Sequence, residues 1–349
     1  MSGPEPSLRH LRRMSDDTGL FEHAIGALPN RSLGYCTDDA GRALAVAARS
    51  NEAGADVLAE RWLAFLVQAH EGEGRFRLRM GFDRRWTADP ASDDACGRAI
   101  FGIGVAAAVA PWGHVRREAR RLFEPATSFR SPHVRATADA VVGAAELLLA
   151  EPGSVGARSM VEDALASLPR GIPDVAWPWP EPRLTYANAL MPEALIAVGD
   201  AGGDERAVHD GLGLLRWLVD LQLRDGHLSF VPAAGLDPGD ASPAFDQQPI
   251  EAGALANACA RAFDVTGDRS WLDHLRLCVG WFEGMNDVGT PMADRETGGA
   301  FDGLEPDGVN ENQGAESTIA LVATGQAARR LAGPDGSAAQ PTLRSAASN

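Results

Sequence analysis

No apolar run in this 349-residue sequence approaches the roughly 20 residues that a membrane helix needs. The first residues, MSGPEPSLRHLRRMSDD, lack the apolar core of a secretory signal, so the expected location is cytoplasmic. Basic clusters are missing apart from RREARRL at Arg116 to Leu122, and the formal net charge is −16. Nucleic acid and anionic membrane both need a positive face, so neither is an expected partner; the acidity itself serves solubility. Four cysteines (Cys36, Cys96, Cys259, Cys278) are widely spaced with no CxxC pair, which argues against a structural zinc or a disulfide scaffold. GxSxG, HExxH, GxxxxGKS/T and a GxGxxG after a strand are all absent; FGIGVAAAVA at Phe101 to Ala110 continues a helix. Alternating strand patterns are scarce, with short candidates only in connections, at Gly74 to Met80 and His227 to Val231.

What is present is 45% hydrophobic residues, mostly alanine and leucine, a bias toward helix. Apolar residues recur at three- and four-residue intervals, as in Asp56 to His70, Ala136 to Ala150 and Ala207 to Leu223. The helices alternate in kind. One kind is Ala- and Gly-rich with few charges and starts near Asp38, Asp94, His133, Tyr186, Gln247 and Gln313. The other is amphipathic and starts near Asp56, His114, Val155, Glu205 and Arg269. A helix apolar on nearly all sides is buried, and one with a charged stripe turns that stripe to water. Concentric rings follow, with the segment from Leu8 to Met14 closing the outer ring: an all-α (α/α)6 toroid of six hairpins. An open solenoid would show shorter, more regular repeats and capping units. The expected domain is 1–332, followed by a small, polar, disordered tail at 333–349. Glycine-bearing connections (EGEGRFRLRM, LRDGHLSFV, RETGGAFDGL) can add hairpins at the rim.

In such a ring every inner helix opens at the same face. The openings are YCTDD (Tyr35 to Asp39), SDD (Ser92 to Asp94), SFRSPHVRA with Arg130, His133 and Arg135, RLTYAN (Arg183 to Asn188), FDQQPIE (Phe245 to Glu251) and VNENQGAE (Val309 to Glu316). Asp and Ser are favoured N-caps and suit the positive helix end, so one aspartate per opening needs no other role. The second of each pair, and Glu251 and Glu316 a turn inside, are not explained that way. Buried carboxylates need partners, and Arg42 and Arg98, a turn after each acid pair, can supply them. Converging carboxylates suit acid/base work on a neutral polyhydroxylated substrate, because crowding in a low-dielectric funnel splits their pKa values. Trp86, Trp177, Trp179 and Tyr186 lie where sugar faces stack, whereas Trp62, Trp217, Trp271 and Trp281 sit in helical patterns and pack. The acid pairs lack an EF-hand's spaced ligands and the closing aspartate of a DDxxD prenyl-transfer motif, so no metal is expected. His227 is the histidine placed at the rim.

Through these residues the chain resembles the six-hairpin glycosidase superfamily, and a bacterial glycosyltransferase-associated group within it. The resemblance rests on MSDDTGLFEHA (Met14 to Ala24), GYCTDDAGRAL (Gly34 to Leu44), SDDACGRAIFGIG (Ser92 to Gly104), DQQPIEAGAL (Asp246 to Leu255) and NQGAESTIAL (Asn312 to Leu321). It implies the toroid over roughly residues 8 to 331 and an activity among hydrolases, phosphorylases, hydratases and epimerases; epimerases of this fold lean on histidines, which these openings lack apart from His133. The expected function is hydrolysis of an oligosaccharide without a cofactor. Asp39 and Asp94 lead the catalytic candidates, with Asp38, Asp246 and Glu316. Arg42 and Arg98 orient acids; Asp93, Gln247, Gln248 and Asn312 bind hydroxyls; Trp86 and Tyr186 stack. A non-catalytic sugar-binding scaffold working with a glycosyltransferase, a phosphorylase and an epimerase are the alternatives.

Overall fold

The two kinds of helix become two rings. A computed structural model describes residues 7–171, 176–240 and 243–331, and the expected tail at 333–349 lies outside them. The helices are α1 (Arg9–Arg13), α2 (Thr37–Ala48), α3 (Ala55–Ala69), α4 (Asp93–Val109), α5 (Gly113–Ala126) and α6 (Val134–Ala150). They continue with α7 (Val155–Ser167), α8 (Leu190–Gly202), α9 (Glu205–Gln222), α10 (Pro249–Thr266), α11 (Ser270–Phe282) and α12 (Ala315–Leu331). The Ala/Gly-rich members α2, α4, α6, α8, α10 and α12 pack each on the next, and α12 returns to α2. The amphipathic α3, α5, α7, α9 and α11 each back onto the inner helix before them, and α1 backs onto α12. α1 is one short turn and a half, yet Leu8, Leu11 and Met14 bury it against the ring. The (α/α)6 toroid is therefore closed.

Glycine sets the spacing of one wall. A methyl at Gly102 in α4 would lie 1.9 Å from the Gly41 carbonyl oxygen of α2, and one at Gly104 would lie 2.4 Å from the Gly143 oxygen of α6. Backbone therefore touches backbone across α2, α4 and α6, where a larger residue would push the helices apart. Gly102→Ala should lower stability by about 1–3 kcal/mol. Urea denaturation should read that loss, with Ala-for-Gly at the open position 213 as the control.

Short antiparallel hairpins decorate the connections: β1 (Ala24–Ile25) with β2 (Leu28–Pro29), β4 (His70–Gly72) with β5 (Arg75–Phe76), β7 (Leu223–Arg224) with β8 (His227–Leu228), and β9 (Gly303–Glu305) with β10 (Gly308–Asn310). Strand β3 (Tyr35–Cys36) pairs with β6 (Arg79–Met80), which pins the α2 opening to the loop before α4. Trp62, Trp271 and Trp281 are fully buried, as their helical patterns predict. Trp177 and Trp179 differ from expectation. Trp179 has no exposed surface, and both rings pack on Trp217 of α9, at 5.1 and 5.8 Å between centroids, so they fill the space under a connection instead of facing a ligand. Among the described residues no helix is long and apolar enough to cross a membrane.

Candidate active site

Alternation of hairpins makes all six inner helices parallel, so their amino ends share one mouth. Neither acid pair caps its helix there. The residue before α2 is Cys36, which makes no side-chain capping bond, and α4 is capped by Ser92, whose hydroxyl accepts from the Ala95 N–H at 3.3 Å. All four aspartates are left for other partners.

Those partners cross between helices. Arg42 lies 2.5 Å from Asp38 and 2.8 Å from Asp39 on its own helix, and 2.9 Å from Glu316 of α12. Arg98 of α4 passes over its own acid pair to Asp38 of α2 at 2.5 Å, and comes within 3.5 Å of Asp139 in α6 and 3.9 Å of Glu316. Asp93, expected to bind hydroxyls, is instead held in the wall by Arg75 at 2.7 Å and the Ser131 hydroxyl at 2.6 Å. Every cation in the chain is arginine, since the sequence contains no lysine. The guanidinium fork can serve several carboxylates at once, which a single ammonium point charge does poorly.

One pair of cations thus gathers four acids from three inner helices, Asp94 of α4 adds its charge beside Arg98, and environment sorts their protons. Burial raises Asp38, but Arg42 and Arg98 overcome it and hold the carboxyl below its usual range. Asp39, 3% exposed, is pushed well above that range by burial, with Arg42 opposing and Asp38 reinforcing. Asp139, 8% exposed, is raised to about 7, chiefly by burial. Glu316 has 38% of its side chain open to solvent, and Asp94 is half-buried with its carboxylate accepting from the Tyr186 hydroxyl. Asp94 and Glu316 are the acids of this group that reach the open side.

The opposite wall is built on Tyr186. Its ring lies 5.0 Å from the Arg135 guanidinium and 5.9 Å from that of Arg98, a cation–π arrangement. Burial, then Asp94, raises the phenol, so it stays a donor. Arg135 also donates to the Tyr186 carbonyl at 2.7 Å, to Glu181 at 2.9 Å and to Asn188 Oδ1 at 3.3 Å. Glu251 of α10 closes this wall by accepting from the Asn188 N–H and Nδ2, at 3.2 and 3.1 Å. It is 4% exposed, and burial raises it to about 7 despite those bonds. Between about 4.5 and about 7 the folded protein therefore holds a proton that the unfolded chain has released, so stability falls as pH rises through that window. Glu251→Gln keeps an oxygen acceptor for Asn188 and removes the titration. Its melting temperature should fall less than the wild type's between pH 5 and pH 8.

Sequence reasoning missed part of the mouth. Glu22 accepts two bonds from Arg79, both 2.7 Å. Burial raises this acid, but Arg79 and His23 outweigh it and leave the carboxyl at about 2. His23 stands 3.5 Å from Glu22 with half its surface open, and it is raised by that neighbour together with the charges of Asp39 and Asp302. Asp302 accepts from the Gly314 N–H and the Ser317 hydroxyl, each at 2.8 Å, and so secures the α12 opening. The signal was present in GLFEHA at Gly19 to Ala24, but no helical pattern assigned that stretch to the mouth.

The remaining candidates lie further out. Asp246 packs against Gly303 with a buried, unpaired Oδ1, and burial and Glu305 raise it; Gln248 bonds to it. Gln247 has no exposed surface, and its amide donates to Asp287 at 2.7 Å and to the Ala244 carbonyl while accepting from Phe230 N–H. It anchors a loop and has no free group for a hydroxyl. Asn312 Oδ1 accepts from Gly26 N–H at 3.0 Å. Trp86 is half-buried on Phe65, 5.3 Å between centroids, with Arg77 over its ring. His227 Nε2 donates to the Asp287 carboxylate at 3.0 Å. Glu22, Cys36 and Asp39 bring one ligand atom each within 4.8 Å of one another. Arg79 and Arg42 already neutralise the two acids, and burial pushes the Cys36 thiol well up, so that set is poorly suited to a metal. A separate cavity of about 1200 Å³ opens at the carboxyl ends of the inner helices. Arg261 there bridges Glu146 at 2.7 Å and Glu193 at 3.3 Å. The mouth, not this second cavity, carries the group of acids with split pKa values.

The fold is that of the six-hairpin toroid enzymes. Over 92% of this chain and 95% of the other, it superposes on cellobiose 2-epimerase from Bacillus thermoamylovorans with a TM-score of 0.69 at 10% identity. D-mannose isomerase gives a TM-score of 0.66 at 10% identity, covering 92% and 94%. A cellulase of C. cellulolyticum gives 0.56 at 9% identity, covering 89% and 87%. No protein-family model matches the chain, and no curated protein matches it.

Proposed function

We propose that this chain is a carbohydrate-active enzyme that hydrolyses a neutral oligosaccharide at the amino-end mouth of the toroid. The observation that carries the reading is the gathering of Asp38, Asp39, Asp139 and Glu316 around Arg42 and Arg98, with Asp94 bonded to Tyr186 beside them and with raised and lowered carboxyls side by side. Asp94 and Glu316 face the substrate. One of them gives the proton to the glycosidic oxygen and the other takes the proton of the water whose oxygen joins the anomeric carbon, with the Tyr186 hydroxyl bonded to Asp94. Asp38 and Asp39 fix the two arginines, which hold Glu316 in place. Incubation with a panel of oligosaccharides, with and without inorganic phosphate, tests this: reducing sugar released in both conditions supports hydrolysis, and sugar phosphate marks a phosphorylase.

A second reading, epimerisation or isomerisation of a sugar, is favoured by His23, an open imidazole kept basic by Glu22 beside Asp39. Similar toroids named as an epimerase and an isomerase add weight. The same panel separates the two, since epimerisation changes the sugar without releasing one. Binding without any change of the sugar identifies a scaffold.

A further inference from the structure

The rim beside the mouth is apolar where its floor is acidic. Ile25 and Leu28 are directly paired across the first hairpin, so both side chains stand on the same side, and they are 68% and 67% exposed. Their neighbour Ala24 is buried, which turns the pair away from the protein. The hairpin does not hang free. Gly26 N–H donates to Asn312 Oδ1 at 3.0 Å and Gly26 O accepts from Gln313 N–H at 3.0 Å, so its tip is fastened to the opening of α12, three residues before Glu316. Its base is closed by Asn30 N–H donating to the carbonyl of His23. A second exposed pair follows: Leu33 and Phe82, each 49% exposed, flank the contact of Gly34 with Gly81, and the Arg31 guanidinium lies 5.6 Å from the Phe82 ring. Single exposed apolar residues are ordinary, but a fixed series along one rim marks a binding surface.

Resting on the reading of this mouth as a glycosidase site, we propose that Ile25, Leu28, Leu33 and Phe82 form a subsite for an apolar chain, and that the substrate is an amphiphilic glycoside. A sugar seated between Asp94 and Glu316 directs whatever is attached to it out of the funnel, and on the α12 side this hairpin is bonded to the residues that open the helix carrying Glu316. Continuity with the site, rather than a partner of unknown kind, determines what covers the patch. An anionic lipid bilayer is a poorer occupant, because the chain carries a formal net charge of −16.

The test uses methyl and octyl glucosides and galactosides of both anomers, below the octyl compounds' micelle concentration. Titration calorimetry and turnover are measured on the full chain and on the Ile25→Ser/Leu28→Ser variant. The octyl form of the accepted sugar should bind about tenfold more tightly than the methyl form. The variant should lose that preference, keep the methyl affinity and keep the wild-type melting temperature. A second variant, Ile25→Leu/Leu28→Ile, should retain the preference. Equal affinity for both chain lengths in the wild type, or a preference that survives the serine variant, overturns the subsite. So does a dimer in the wild type that the serine variant converts to a monomer. Octyl preference without turnover of any glycoside leaves the subsite standing and removes the hydrolase reading; turnover without octyl preference does the reverse.

Discussion

Arg42→Met should lower folding stability by about 3–5 kcal/mol at pH 8, the cost of leaving buried charge without its partner. Asp39 loses its arginine, and Asp38 and Glu316 keep only Arg98. The sign with pH follows. Carboxyls stripped of a cation and held out of water titrate above their ordinary range, so at pH 5 they take up protons and the penalty shrinks, whereas at pH 8 they must ionise or the chain must open. Urea denaturation at the two pH values checks this, with the deficit expected to be clearly larger at pH 8. A deficit independent of pH would mean that the arginine acts only by filling space.

Asp94→Asn and Glu316→Gln should each reduce turnover by about 10²–10⁴-fold, the range for removing a general acid or base. Their melting temperatures should stay near the wild type's, since both side chains reach solvent. Asp39→Asn separates a reacting group from a supporting one. Asp39 is 3% exposed and raised well above the ordinary range by burial, so the asparagine resembles the protonated acid it replaces. The effect on kcat should be smaller than at Asp94 or Glu316. A loss at Asp39 as large as at those two would return it to the role that the doubled aspartates first suggested.

The alternation of Ala/Gly-rich and amphipathic segments was enough to read the toroid, because burial on all sides and burial on one stripe leave different compositions. Helix starts fell close to their expected places: Thr37 against Asp38, Gly113 against His114, Val155 as expected, Ala315 against Gln313. The fourth inner helix begins at Leu190, later than Tyr186, since the RLTYAN stretch serves Arg135 and Glu251 first. Partner choice was far less legible. Spacing placed Arg98 with Asp93 and Asp94, but the guanidinium crosses to Asp38, because helices in backbone contact bring it closer to the next helix than to its own first turn. Trp177 and Trp179 carried no sign that a third tryptophan waited beneath them. Gln247 looked like any rim amide until its partners Asp287 and Phe230, 40 and 17 residues away along the chain, were in place.

Because Gly41, Gly102, Gly104 and Gly143 let main chains meet, the separation of Asp38, Arg98 and Asp139 is set by peptide geometry rather than by flexible side chains. Anyone seeking to retune this site would do well to treat that half as a fixed anvil. Mutagenic libraries belong on the segment joining Gly81 to Ser92, where new shapes can be tried without shifting the charged floor.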